Sequence, residues 1–394
     1  MVDRINSEMI YTVKSKKFGI IGYLVIDRLI DGRSFGGVRI IPEIPLEELQ
    51  AISRSMTYKC AFVGMKMGGA KSTIMINEEN EKYRKDIISE FGRRISPFVK
   101  NGMYFPVMDM GISINELQII FDNAGYKCDT CSWKNLSHEY TAYSCFYATL
   151  SALEKKNIHI KDATFAVQGL GSVGCGYAKL MCKAGARLVA FSNKYGGLIN
   201  DNGFDIDDII QDILSKGDNF ILERSDKNVS RESVLEQDVT ILLPAANTFV
   251  INDENYKRIK ADIIVCAANA PISHETERLL KNKIVITDFI ANCGGVLGSV
   301  LDDYVSNDVI LKIMSTFYKR KVGDLIDQSL KSEKPLLDVA IDDIEKRVEE
   351  MLNTRSDKRS TEFIVRLLSN SFMKRSTSGY MSKRYISKYQ ALWG

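Results

Sequence analysis

The stretch ATFAVQGLGSVGCGYAKLMCKAGARLVAFSN, residues 163–193, decides the fold. An apolar run ends at Gln168 and glycines follow at 169, 171 and 174. A helical stretch then closes near Lys183, and a second apolar run fills 187–193. Strand, glycine loop, helix and strand within about 30 residues turn a bare GxGxxG into a dinucleotide fingerprint. Gly169 permits the turn, Gly171 lets the backbone approach a pyrophosphate, and Gly174 lets helix and strand pack closely. Ser172 and Val173 belong to the same loop, and the N-terminus of the helix it opens offers N–H groups and a partial positive charge to the phosphates.

The end of the second run leaves the cofactor open. An acidic residue there would hold a ribose 2′-hydroxyl and select NAD. Ser192-Asn193-Lys194 stands there instead. Asn193 can bond a ribose and Lys194 can accept a 2′-phosphate, so NAD and NADP both remain candidates.

Outward from this unit, short apolar runs recur at 239–247, 261–269 and 283–295, alternating with helical stretches. That is the pattern of a parallel sheet covered on both faces. The first part of the chain reads differently. Extended runs at 19–28 and 32–41 precede a helix over 45–64, which has a Pro start and acids in its first turn. A second helix ends at Gly102, an extended segment covers 104–113, and a third helix stops at Gly125. The polar stretch 126–140 reads as a passage between domains. The expectation is an α/β protein of two domains with a cleft between them. The first domain spans 1–138, and a Rossmann NAD(P)-binding domain spans 139–320.

Composition sets the class. With 394 residues, 45% hydrophobic and 26% charged, the chain can bury a sizeable core and is not globally disordered. Its N-terminal residues are charged and lack an apolar run of signal type, so a cytoplasmic protein with no membrane partner is expected. Eight scattered cysteines sit mostly in apolar segments, as buried thiols do in a reducing compartment. Cys128 and Cys131 have metal-like spacing, with His138 seven residues on, but no second such pair accompanies them; no metal is expected. From Arg355 onward, nine Lys or Arg face two Asp or Glu, a local +7 that leaves −4 on the rest of a chain of net charge +3. Apolar residues at helical spacing there favour a docked helix over a nucleic-acid contact.

A second stretch raises a question of charge. In MTYKCAFVGMKMGGAKSTIM, residues 56–75, Lys59 and Lys71 lie on either side of what reads as a tight Gly68-Gly69 turn, among apolar residues. Lysine is costly to bury unless an anion meets it or its proton is removed. Two such lysines point to a site that handles an anion. Solvated side chains are the plain alternative.

Several motifs, in order, resemble one family. GGVR (36–39), MTYK (56–59), MGGAK (67–71), PVMDMG (106–111), TAY (141–143), GLGSVG, PAAN (244–247), AANAP (267–271) and ANCGG (291–295) are similar to strings of the glutamate/leucine/phenylalanine/valine dehydrogenases. The resemblance implies NAD(P)-dependent oxidative deamination of an L-amino acid to a 2-oxo acid and ammonia, and the reverse. It implies that Lys59 binds the substrate α-carboxylate and that Lys71 is the catalytic lysine. Asp109 would be the second proton carrier, although Asp109 could also simply cap the following helix. Cofactor-binding positions by resemblance are Thr141, the loop residues 169 and 171–174, Asn193, Ala246, Asn247, Ala268, Asn269 and Asn292, the last also near substrate. The resemblance also implies that domain 1–138 is the substrate-binding and oligomerisation domain, that C-terminal helices over about 321–394 return to it, and that the protein is a homo-oligomer.

Substrate choice rests on the side-chain pocket. Glutamate members of the family carry a lysine just before the first GG, where this chain has Phe35, followed by Gly36 and Gly37. Val107, Val296 and Ser299 are the other pocket positions by resemblance. Three apolar walls and one hydroxyl predict an uncharged, largely apolar amino acid. Two alternatives remain. A glutamate dehydrogenase would need Arg33 or Arg39 for the distal carboxylate. A silent NAD(P)-binding sensor or assembly subunit finds support in the basic tail and in Ala70, where the family has glycine and a positive φ would strain alanine.

Overall fold

The computed structural model describes residues 7–130, 137–302, 304–353 and 378–393. The chain divides into two compact units, Met1–Asn135 with Ile344–Ser376, and Leu136–Asp343 with Thr377–Gly394.

The first unit is built on a five-stranded sheet of order β1-β2-β4-β3-β5. Its strands are β1 (Met9–Ser15), β2 (Gly19–Ile26), β3 (Ser34–Ile41), β4 (Gly68–Met75) and β5 (Tyr104–Met108). The helices are α1 (Leu46–Phe62), α2 (Arg84–Lys100) and α3 (Ile114–Ala124). β3 runs parallel to β4 and β5, so α1 and α2 serve as crossovers, whereas β1 and β2 join antiparallel at the other edge. The backbone of α1 lies against Gly69, and Phe91 of α2 lies against Gly22, which pairs with Ile74. Positions 69 and 74 project to opposite faces, so the two helices cover opposite faces of the sheet.

Three expectations are corrected here. Gly68-Gly69 is not a turn but the start of β4. The glycines are required because a Cβ would lie 1.7 Å from Arg28 O at Gly68 and 2.1 Å from Thr57 N at Gly69. Ala70 has no positive φ and is fully buried in the same strand, so the methyl group brings no backbone strain. β1 was not foreseen: it is an edge strand whose outward face carries the exposed Ile10 as well as Lys14, so its apolar and polar residues do not alternate cleanly.

The second unit holds a seven-stranded sheet of order β12-β11-β10-β6-β7-β8-β9. These are β6 (Thr164–Gln168), β7 (Arg187–Asn193), β8 (Gly196–Ile199), β9 (Lys227–Val229), β10 (Ile241–Pro244), β11 (Ile263–Val265) and β12 (Ile284–Ile286). From β12 to β7 all pairings are parallel, and β10 and β11 are buried throughout. β8 and β9 are antiparallel, so the sheet is mixed rather than wholly parallel. Both are too short and glycine-rich or polar to announce themselves in sequence. Around the sheet lie α4 (Ser137–Lys155), α5 (Ser172–Lys183), α6 (Ile206–Lys216), α7 (His274–Leu279), α8 (Asp288–Ala291), α9 (Gly294–Leu301), α10 (Asn307–Ile313) and α11 (Lys319–Ser332).

The C-terminal return differs from the expected boundary at 321. α11 is tied to α4, with Ser151 Oγ donating to Lys319 O at 2.6 Å, and belongs to the second unit. The division falls within α12 (Leu336–Asn353), at residue 344. The helix Ser378–Trp393 also packs in the second unit, with Trp393 against Tyr318. The helix expected within 362–375, and Cys131 of the CxxC pair, lie outside the described residues; among the described residues no cluster of metal-ligating side chains occurs. No helix among them is long and apolar enough to cross a membrane.

Gly36 tests the sheet. A Cβ there would lie 1.6 Å from Ala70 O, so Gly36→Ala should destabilise the protein by about 2–3 kcal/mol in urea unfolding, with the slope unchanged.

Candidate active site

Register places the charged groups of the first unit on one face. Phe35, Gly37 and Arg39 alternate along β3, and their β5 partners are Phe105, Val107 and, by continuation, Asp109. Lys71 follows Gly69 on β4, the strand on the other side of β3. Gly37 leaves the room they need, since a Cβ there would stand 2.7 Å from Asp109 Cβ and 3.1 Å from Lys71 Nζ. Gly36 projects the other way and has its own packing reason, with its carbonyl accepting from Tyr104 Oη at 3.0 Å.

Lys71 Nζ is ion-paired with Asp109 Oδ2, and the same oxygen accepts from Arg39 Nε at 3.1 Å. Arg39 Nη1 lies 3.8 Å from Glu48 Oε1. Lys71, Arg39 and Lys59 are each buried. Burial, first of all, pushes the Lys71 ammonium down to about 8; Asp109 opposes this, while the charges of Arg39 and Lys59 add to it. Burial acts in the opposite sense on Asp109, but Lys71 and Arg39 outweigh it and hold the carboxyl well below the usual carboxylate range. The helix-capping alternative for Asp109 fails, because Ser113 and Glu116 form a reciprocal capping box on α3.

Behind β4 lies a buried network that sequence reading missed. Asp27, 1% exposed, is paired with Arg54 and accepts from Thr57 Oγ at 2.6 Å; Thr57 Oγ in turn accepts from Gly69 N at 3.0 Å. Glu345 adds a second clamp, taking both guanidinium nitrogens of Arg28 and the hydroxyl of Tyr58. Together these fix α1, with Lys59, against β4, with Lys71. No local pattern announces them, since the partners lie up to 317 residues apart.

The second unit carries the dinucleotide loop. Gly169 and Leu170 N–H both donate to Ser192 O, at 3.0 and 2.9 Å, which welds the glycine turn to the end of β7. Gly174 is forced by close approach, a Cβ lying 2.2 Å from Gly169 O. Gly171 differs: nothing lies within 4 Å of a Cβ there, so the space before α5 is open. Ser172 is exposed and Val173 half-buried at the α5 N-terminus. Ala246 and Asn247 are exposed beyond β10, with Ala246 against Gly169, and Ala268 and Asn269 follow β11. Asn292 Nδ2 donates to Ala267 O and Ala268 O at 3.1 and 3.0 Å, while its buried Oδ1 has no partner among the described residues. Thr141 lies against the first turn of α9, where a Cβ on Gly295 would stand 2.7 Å from its Oγ1. Asn193, at the end of β7, is bonded locally: its Oδ1 accepts from Tyr195 N and its Nδ2 donates to Asp218 O. An open approach at Gly171, helix N–H groups and an orphaned amide oxygen at Asn292 fit a dinucleotide with a carboxamide end.

Residues 9–126 match the Glu/Leu/Phe/Val dehydrogenase dimerisation domain, and residues 134–328 match the Glutamate/Leucine/Phenylalanine/Valine dehydrogenase model. The chain belongs to this family. It is therefore an NAD(P)-binding amino acid dehydrogenase. An NAD-specific glutamate dehydrogenase of Staphylococcus aureus is 30% identical over 295 residues, 70% of each chain. Glutamate dehydrogenase B of Halobacterium salinarum is 31% identical over 304 residues, 71% of this chain and 69% of that one. Among solved structures, the hetero-hexameric glutamate dehydrogenase of Thermus thermophilus in its Leu-bound form superposes with a TM-score of 0.73 at 18% identity, covering 88% and 89% of the two chains. The L-tryptophan dehydrogenase of Nostoc punctiforme gives 0.61 at 21% identity, covering 88% and 97%. At these identities the structural likeness concerns the fold.

Gly171→Ala should separate binding from stability. With open space around the new methyl, the melting temperature should stay within about 2 °C, while NADH affinity, read by fluorescence titration, should fall at least about tenfold.

Proposed function

We propose that this dehydrogenase oxidatively deaminates an L-amino acid with an uncharged, apolar side chain, using NAD, and catalyses the reverse reductive amination. The observation that carries the substrate class is at Phe35. It occupies the position where a cation would meet a distal carboxylate, and it is buried and stacked on Phe105 with centroids 6.3 Å apart. Arg39 is already committed to Asp109 and Glu48, which argues against it as that cation. In α9, Val296 is half-buried, and the Ser299 hydroxyl donates to Gly295 O at 2.8 Å, within its own helix. Glutamate is the second reading, favoured by the names of the curated relatives.

The residues then take these roles. Lys59 pairs with the substrate α-carboxylate. Residues 169–174, with Thr141, Ala246, Asn247, Ala268, Asn269 and Asn292, hold the dinucleotide, and Asn292 presents its Oδ1 to the carboxamide. When bound, the nicotinamide supplies the acceptor for the hydride from the substrate Cα. Lys71, in its neutral form, takes a proton from the water that attacks the iminium carbon, and as an ammonium it stabilises the carbinolamine. Once Lys71 is neutral, Asp109 loses the main cation holding its proton affinity down. Asp109 Oδ2, bonded to both Lys71 and Arg39, links the two titrations, and Asp109 can relay a proton from the Lys71 ammonium to the departing amino nitrogen, which leaves as ammonia. The sensor reading loses its backbone argument at Ala70, while Lys71, Asp109 and Arg39 remain assembled.

We also infer a homo-oligomer, supported by the match of 9–126 to a dimerisation domain, and a cytoplasmic setting, supported by seven described cysteines that are all thiols.

Reductive amination of a panel of 2-oxo acids tests the substrate. Branched-chain or aromatic oxo acids should turn over with NADH, and Lys71→Ala should lower kcat by at least about 10³-fold with its fold intact. Turnover confined to 2-oxoglutarate would sink the Phe35 argument, and no turnover at all would favour the sensor. The pH profile supplies a further check. Because Lys71 is brought down to about 8 and acts when neutral, kcat/KM for oxidation should rise through about pH 8 and level off above it.

A further inference from the structure

We propose that Asp218 makes this dehydrogenase discriminate against a 2′-phosphorylated dinucleotide, by placing at the end of β7 the carboxylate that β7 itself lacks. This deepens, and rests on, the reading of residues 169–193 as the dinucleotide site.

Asp218 arrives from the 3-10 turn Gly217–Leu222, which follows α6, 25 residues after Asn193. Asn193 secures it there. The side-chain Nδ2 of Asn193 donates to Asp218 O at 2.7 Å, and its Oδ1 accepts from Tyr195 N at 2.9 Å. The amide at the tip of β7 is thus engaged in anchoring the 217–222 turn, and the residue it anchors is acidic. The Asp218 carboxylate stands 3.0 Å from Lys194 Nζ. Its charge is also felt at the Cys175 thiol, in the first turn of α5, which is pushed up by burial first and by Asp218 second. Since Gly169 and Leu170 are bonded to Ser192 O, the glycine turn, the end of β7 and Asp218 form one local assembly.

In a dinucleotide site of this kind the ribose 2′ position lies at the end of the second strand, beside the glycine turn. A carboxylate there accepts a hydrogen bond from a 2′-hydroxyl. A 2′-phosphate, with up to about two negative charges at neutral pH, meets a like charge instead. Lys194 is the cation that could reverse this preference, and Asp218 neutralises it. Lys194 and Asp218 are 63% and 46% exposed, so their ion pair adds little to the stability of the fold. Charge selection is the role that remains for a carboxylate so placed. Sequence alone does not reveal it, because the acid comes from a turn beyond α6 rather than from β7.

The test uses the full-length protein, with NADH and NADPH as probes. Dissociation constants from fluorescence titration and kcat/KM for each cofactor would be compared for wild type, Asp218→Asn and the double variant Asp218→Asn/Lys194→Ala. Wild type should prefer NADH. Asp218→Asn should improve NADPH binding about tenfold and weaken NADH a few-fold, and adding Lys194→Ala should cancel the NADPH gain. NADH binding by the single variant reports that it is folded. A wild type that prefers NADPH, or an Asp218→Asn variant whose NADH/NADPH ratio equals that of wild type, would overturn the assignment to Asp218 while leaving the dinucleotide site in place. A wild type that binds neither cofactor would instead overturn the dinucleotide reading, and this proposal with it.

Discussion

A lysine ammonium buried in a β-sheet is the constraint on which the first unit depends. Lys71 sits in a buried stretch of β4, and an isolated charge there would be strongly disfavoured. Asp109 answers it from β5, and Arg39 from β3 keeps that carboxylate ionised. The price is crowding, because three long or branched side chains converge on one patch of sheet. Gly37 relieves it by carrying no side chain at all, and Gly69 does the same where α1 crosses. Removing one partner from a buried set of this kind leaves a charge uncompensated, which is far worse than replacing the whole set by apolar groups. The cluster therefore makes more sense as chemistry than as stabilisation. An amine brought near neutrality and a carboxylate bonded to it are what a proton shuttle needs.

The supports around this cluster show how a site is held from a distance. Asp27, Arg54 and Thr57 fix the backbone of Gly69, two residues before Lys71, and Glu345 fixes Arg28 and Tyr58, neighbours of Asp27 and Lys59. The second unit solves a different problem with the same economy. Its glycine turn is bonded to the end of β7, and the 217–222 turn is bonded to the same place through Asn193. Among the described residues, the buried oxygens Gln168 Oε1, Glu277 Oε1 and Asn292 Oδ1 are left without a hydrogen-bond partner.

Much of this was legible in the order of residues. The βαβ unit at 163–193 appears in the structure as β6, α5 and β7, because apolar runs, glycine spacing and helix stops all act within a few residues of one another. Helix ends at Gly102 and Gly125 follow from the same local logic, both glycines having positive φ. Short strands β8 and β9 were not legible, since three or four residues give no periodicity to read. The apparent turn at Gly68-Gly69 misled for a related reason. Glycine is used there for close approach to Arg28 and Thr57, a long-range demand that imitates a local turn signal.

What the sequence by itself determined, then, is the family, the Rossmann unit and the identities of Lys59, Lys71 and Asp109 as candidates, since these rest on motifs whose residues are close in the chain. Tertiary structure decided the rest: that Lys71 is buried and drawn down toward neutrality, that Arg39 serves Asp109 rather than a substrate carboxylate, and that an acid from beyond α6 stands where β7 has none. The physical reason is common to all three. Proton affinity and charge selection depend on which groups meet within a few ångströms, and those groups come from strands and turns far apart in sequence.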